Sequence, residues 1–123
     1  MTTVMDVAIT PIRIVAAAKV PSARHKIRRI AERLVGADRA GDVEVMASEA
    51  VGNAWLHGTG DVTVTVTCTP VSLRVEVCDQ GPGFAVAGRV DHGRGLTIIA
   101  ALADRYGLDR TDGRTRLWFE VDR

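Results

Sequence analysis

With 123 residues, 13.2 kDa, 46% hydrophobic and 25% charged residues, the chain has the size and composition of a single domain over residues 1–123; disorder and collagen-like repetition are excluded. Lys plus Arg is 16 against 15 Asp plus Glu, a formal net charge of +1, so there is no global field to hold a polyanion or a membrane surface, and direct DNA binding is not expected. The longest apolar run, Leu96 to Ala103 interrupted by Thr97, is far short of the ~20 residues that cross a bilayer. No basic segment followed by a hydrophobic stretch marks a signal peptide, so a soluble cytoplasmic protein is expected.

The predicted elements begin with two short, apolar, β-prone segments, Val4 to Ile9 and Ile12 to Val15, separated by Pro11 and read as edge strands. From Ser22 the period becomes helical: Ala23, Ile27, Ile30, Ala31 and Leu34 share a face, with Ser22 as N-cap and Gly36 as the stop. The other face carries Arg24, Lys26, Arg28, Arg29 and Arg33, which suits a solvated surface or one that docks a partner. A second helix is expected from Asp42 to Leu56, with Val43, Met46, Ala47, Ala50, Val51 and Ala54 as its apolar stripe and His57-Gly58 ending it.

Strict alternation follows. Val62, Val64, Val66 and Cys68 interleave with threonines up to Thr69, and Leu73, Val75 and Val77 interleave with Arg74 and Glu76 from Ser72 to Cys78. Pairing these strands through the turn at Pro70 places Cys68 opposite Leu73 and Cys78 opposite Thr63, too far apart to bridge. Two reduced thiols suit the cytosol. Leu96 to Tyr106 reads as a third helix closed by Gly107, and Asp112-Gly113 as a hairpin turn into a last strand with Thr115, Leu117, Phe119 and Val121 on one face. The expected fold class is α+β, an α/β sandwich: a mixed, mainly antiparallel sheet with about three helices on one face.

Three constellations carry chemistry. Glu49 and Asn53 stand one turn apart at the border of the second helix's apolar stripe, where half-buried polar groups need a partner, be it a neighbouring side chain or a bound metal or water. Gly52, between them, costs the helix roughly 1 kcal/mol relative to Ala; either something approaches closely there or helix and sheet touch. Next, Asp79-Gln80-Gly81-Pro82-Gly83 ends a strand, and parity turns Asp79 to the same covered side as Leu73, Val75 and Val77. An ionised carboxylate there needs a donor, which the exocyclic amine of a purine can supply, while Gly81 and Gly83 let a flat ligand come near; a plain turn fits the same residues. Last, Gly93-Arg94-Gly95-Leu96 opens an apolar helix, where free backbone amides attract anions, although neither a P-loop nor a dinucleotide fingerprint is present.

Taken in order and spacing, Ser48-Glu49-Ala50-Val51-Gly52-Asn53-Ala54, then Asp79 to Gly83, then Gly93 to Leu96, and finally Gly113 to Glu120 resemble the GHKL ATP-binding superfamily over about Pro21 to Val121, and within it the small bacterial anti-sigma-factor serine kinases. The resemblance implies a Bergerat ATP-binding fold that binds Mg-ATP. It assigns Asp79 to the adenine amino group with Thr115 assisting, Asn53 to Mg²⁺, Glu49 to general-base catalysis, and Gly81, Gly83, Gly93, Arg94, Gly95 and Leu96 to the remaining nucleotide contacts. It further implies a sigma factor and an anti-anti-sigma antagonist as partners, and a homodimer as a possible assembly.

Two departures stand out. Only nine residues, Phe84 to His92, lie between the glycine boxes, without lysine, serine or threonine, and Gly52 stands where the family often has Thr. The short lid keeps open an ATP-binding switch without kinase activity, and the basic first helix an interaction adaptor without nucleotide.

Overall fold

The computed structural model describes residues 7–8, 12–14, 20–57, 59–80, 94–111 and 113–123. Their elements are β1 (Val7–Ala8), β2 (Ile12–Ile14), α1 (Val20–His57), β3 (Thr59–Cys68), β4 (Ser72–Gln80), α2 (Arg94–Leu102), β5 (Arg105–Thr111) and β6 (Arg114–Asp122). The six strands form one sheet in the order β1-β3-β4-β6-β5, with β2 also paired to β3. Every pairing among them is antiparallel, so the parallel component expected of a mixed sheet is not found in these strands.

The alternation of β3, β4 and β6 fixes which side is covered. Val62, Val64, Val66 and Cys68, then Leu73, Val75, Val77 and Asp79, then Thr115, Leu117, Phe119 and Val121 are all buried, while the residues between them are not. Both helices pack on that side, contributing Ala23, Ile27, Ala31, Val43, Met46 and Ile99 among others. Each fully buried aliphatic or aromatic side chain contributes roughly 1.5–3 kcal/mol. The alanines of α1, at 40, 47, 50 and 54, let the helix lie close to the sheet. Cys68 pairs with Leu73 and Cys78 with Thr63, as the alternation predicts, and both thiols are free.

The hairpin between β3 and β4 is closed by the amide of Thr69 donating to the Ser72 carbonyl at 2.8 Å, and by the Thr69 hydroxyl, which accepts from the Ser72 amide at 2.9 Å. Between β5 and β6, Thr111 pairs with Arg114 and Gly113 has the positive φ (75°) that the predicted hairpin turn requires.

Beyond shifts of a few residues at the ends of β1, β2, β4 and α2, four differences from the sequence expectation matter. First, α1 begins at Val20, ahead of Ser22, with Pro21 in its first turn, a position where the missing amide costs no hydrogen bond. Second, the two predicted helices, continuous in residue number as two limbs of α1, meet at Gly36, the predicted stop. Gly36 separates them at φ 88° and ψ 165°, a conformation essentially confined to glycine. The second limb then restarts at once rather than at Asp42, because Ala37, Arg39 and Ala40 favour helix and Asp38 sits at its positive end. Third, β3 begins at Thr59 rather than Val62, its pairing shifting between Thr59 and Thr63.

The fourth difference is the largest. The helix expected to reach Tyr106 stops at Leu102, and Arg105–Thr111 is a sheet strand, β5. Gly107 is therefore not a helix stop. It faces the indole of Trp118 across the ladder, and a Cβ there would lie 2.6 Å from the ring. The Arg74 guanidinium sits 4.1 Å from that ring's centroid.

On the uncovered side of the sheet, Arg74 bridges Glu76 (2.9 Å) and Glu120 (3.1 Å), and Arg105 also holds Glu120 (2.8 Å). Along the first limb Lys26, Arg29 and Arg33 are exposed, as a solvated face requires. Arg28 instead reaches Glu32 at 3.0 Å and Glu44 at 2.8 Å, tying the two limbs together. No helix among the described residues is long and apolar enough to cross a membrane.

Candidate functional site

Asp79 lies near the end of β4, directly opposite Thr115 of β6, and both are buried beneath the helices, 3% and 1% exposed. Ser72 is the other buried polar residue among those described, and its hydroxyl is engaged in the Pro70 turn, 3.1 Å from that of Thr69. Asp79 and Thr115 instead stand at the opposite end of β4, where it runs into the first glycine box. A carboxylate is costly at that depth unless donors hold it, and its oxygens, with the Thr115 hydroxyl, are groups able to accept hydrogen bonds from N–H donors.

The second limb of α1 brings its polar row to the same end. His57, its last residue, is two positions before Thr59, and Thr59 pairs with Gln80, the neighbour of Asp79. Asn53 is therefore one turn from the end of the helix that covers the Asp79 face. Its Nδ2 donates to the Glu49 carbonyl at 3.0 Å, which commits the amide nitrogen to the helix and turns the oxygen away from it. Glu49 and Asn53 are both half-buried. Gly52 shares their face, and a Cβ built on it meets nothing within 4 Å, so among the described residues the close helix-to-sheet contact does not exist and the space is open.

The third constellation opens α2. Arg94 and Gly95 begin the helix, and Leu96 and Ile99 anchor it in the core. No acidic residue stands in its first turn, so the positive end of the helix is not neutralised from within. Gly81, Gly83, Gly93 and the segment from Phe84 to His92 lie outside the described residues, as do the side chains of Arg94 and His57.

One feature escaped the sequence reading. A cavity of about 230 Å³ beside Glu49 is lined by Arg24, Glu44, Val45 and Ser48. Val45 was its only signal: an apolar residue outside the buried stripe, 45% exposed.

The donor set discriminates among metals. Among the described residues no group of three or more His, Cys, Asp or Glu converges to hold an ion. An ion bound through Asn53 would take most of its ligands from phosphate and water, which suits Mg²⁺ and not a transition metal.

Residues 15–121 match the family described as Histidine kinase-like ATPase domain. No curated protein matches. Among solved structures, the RsbU and RsbW domains of Rv1364c from Mycobacterium tuberculosis share the fold with a TM-score of 0.71 at 20% identity, over 94% of this chain. The chain spans 33% of that longer protein.

Proposed function

Since the chain belongs to the histidine kinase-like ATPase family, we propose that it is an ATP-binding regulator of the anti-sigma type, a serine kinase that holds a sigma factor and phosphorylates an antagonist protein. The observation that carries this reading is the buried Asp79–Thr115 pair, whose acceptor and hydroxyl face the covered layer as an adenine site demands. The fold shared with a protein containing an RsbW domain supports it.

Bound Mg-ATP would supply the transferable phosphoryl group and the cation that neutralises it. The chain's own residues do the rest. Asp79 accepts a hydrogen bond from the adenine amine, with Thr115 beside it. Asn53 offers its amide oxygen to the cation. The resemblance assigns the phosphates to Gly93, Arg94, Gly95 and Leu96, and contacts with the ring to Gly81 and Gly83. Glu49 takes the proton of a serine hydroxyl, and the cavity bounded by Val45 and Ser48 gives that serine its approach.

The purified chain should bind ATP in a magnesium-dependent manner by calorimetry and transfer radiolabelled phosphate to a serine-bearing antagonist. Replacing Glu49 by Gln should leave ATP affinity within about twofold and lower transfer by roughly 10²–10⁴-fold. A chain that binds no ATP overturns the reading.

A second reading, ATP-dependent partner exchange without transfer, is favoured by the lid of nine residues, Phe84 to His92, which has no lysine, serine or threonine. ATP binding with no transfer to any antagonist selects it.

A further inference from the structure

The end of α2 remote from the glycine box is held by a side chain from another element. Arg39, near the start of the second limb of α1, donates from Nη1 to the Leu102 carbonyl at 3.0 Å and from Nη2 to Asp104 Oδ2 at 2.7 Å. The same Nη1 meets Asp42 at 2.9 Å, which orients the guanidinium from its own helix. Asp104 is fixed in turn, since its Oδ2 accepts from the Asp122 amide at 2.7 Å and its own amide donates to the Glu120 carbonyl at 2.9 Å. Donation from Asp122, with Arg39 and Arg105 nearby, holds the Asp104 carboxyl below its ordinary range. The guanidinium is thus a fork whose tines engage the last turn of α2 and Asp104, which in turn holds the end of β6.

α2 has no basic residue in its own last turn, so Arg39 supplies the cation that its negative end lacks. The rest of the helix is held by apolar contacts of Leu96, Ile98, Ile99 and Leu102. Such contacts are non-directional and resist sliding along the axis poorly, whereas a planar fork defines position and rotation together. At 1.5 Å per residue, the nine residues of α2 carry that definition about 13 Å to Arg94 and Gly95.

We propose that Arg39 is a positioning residue for phosphate recognition: by clamping the C-terminal end of α2 it sets the height and rotation of the amides at the other end, which meet the nucleotide phosphates. This rests on the nucleotide reading given above. Arg39 touches no substrate, so its effect is confined to the phosphate half of the ligand and leaves the Asp79 half alone.

The test compares ATP with adenosine, both followed by NMR-detected titration of the full-length chain, which reads millimolar as well as micromolar binding. Arg39→Gln should weaken ATP at least tenfold and adenosine less than twofold. Arg39→Lys, which keeps the charge and loses the fork, should fall between wild type and Arg39→Gln. Asp104→Asn, which keeps the shape, should shift the ATP-to-adenosine ratio in the same direction by about threefold and serves if Arg39→Gln does not fold. Equal loss of both ligands, or an unchanged ratio in Arg39→Gln or, where that variant does not fold, in Asp104→Asn, overturns the clamp while leaving the nucleotide reading intact. A wild-type chain that binds neither ligand overturns both.

Discussion

The two faces of the sheet are built from the same strands, yet they treat charge in opposite ways. On the uncovered face, Arg74, Glu76, Arg105, Glu120, Arg116 and Asp109 form a lattice of ion pairs, with each carboxylate met by an arginine. Water screens these charges, and the loss of one leaves the others solvated. On the covered face one carboxylate among the described residues, Asp79, is buried beside Thr115 among valines, leucines and phenylalanine. A charge on the uncovered side is screened by water, whereas one on the covered side depends on the groups packed around it, which is why Asp79 is the residue on which the proposed function is tested first.

The sharpest way to break that contrast is Asp79→Asn, which should reduce ATP affinity by about 10³-fold, because the ligand amine then meets an amide instead of a charged acceptor. The thermal midpoint should move by only a few degrees. Calorimetry and thermal unfolding on one sample check both, and retained affinity refutes the adenine assignment.

Next in size is Gly107→Ala, a change on the uncovered face. The added methyl must displace the Trp118 indole from its place beside Arg74, costing about 1–3 kcal/mol in urea unfolding, with ATP affinity unaffected. Gly52→Ala tests the opposite situation. Its methyl enters open space on a helix, so the fold should gain up to about 1 kcal/mol, and any loss of ATP affinity would measure how closely the ligand approaches that turn.

The smallest effect belongs to Glu120→Gln, below about 1 kcal/mol at pH 7. Hydrogen bonds from Arg105 and then Arg74 lower the Glu120 pKa from its ordinary value of 4.5. A lowered pKa stabilises the folded state above that value and the benefit fades as the pH falls through the folded pKa. The variant should therefore be weaker than wild type at pH 7 and equal to it near pH 2, as urea unfolding at the two pH values will show.

The strands that could be read from the sequence were those whose information is local. Val62 to Cys68 and Leu73 to Asp79 alternate strictly, so a short turn sets their register, and the separation of Cys68 from Cys78 follows from it. The same parity predicts Asp79 and Thr115 on the covered face, where both are buried. β5 was hidden because its meaning is not local. Tyr106 and Leu108 flank a glycine, a poor strand former, directly after an apolar helix, and only the indole of Trp118, eleven positions further on, explains why glycine is there. Likewise the immediate restart of the second limb after Gly36 depends on one residue's backbone angles. In the candidate site, the one-turn spacing of Glu49 and Asn53 is legible in the sequence, whereas the cavity flanked by Val45 and the fork of Arg39 join residues from distant parts of the chain.

Straightened into one rod, the 38 residues of α1 would measure about 57 Å, nearly twice the ~30 Å of the nine-residue strand β4. Half of such a rod would overhang the sheet with its apolar stripe in water. The bend at Gly36 folds this excess length back, so that a single achiral residue decides whether the layer above the sheet is one helix wide or two.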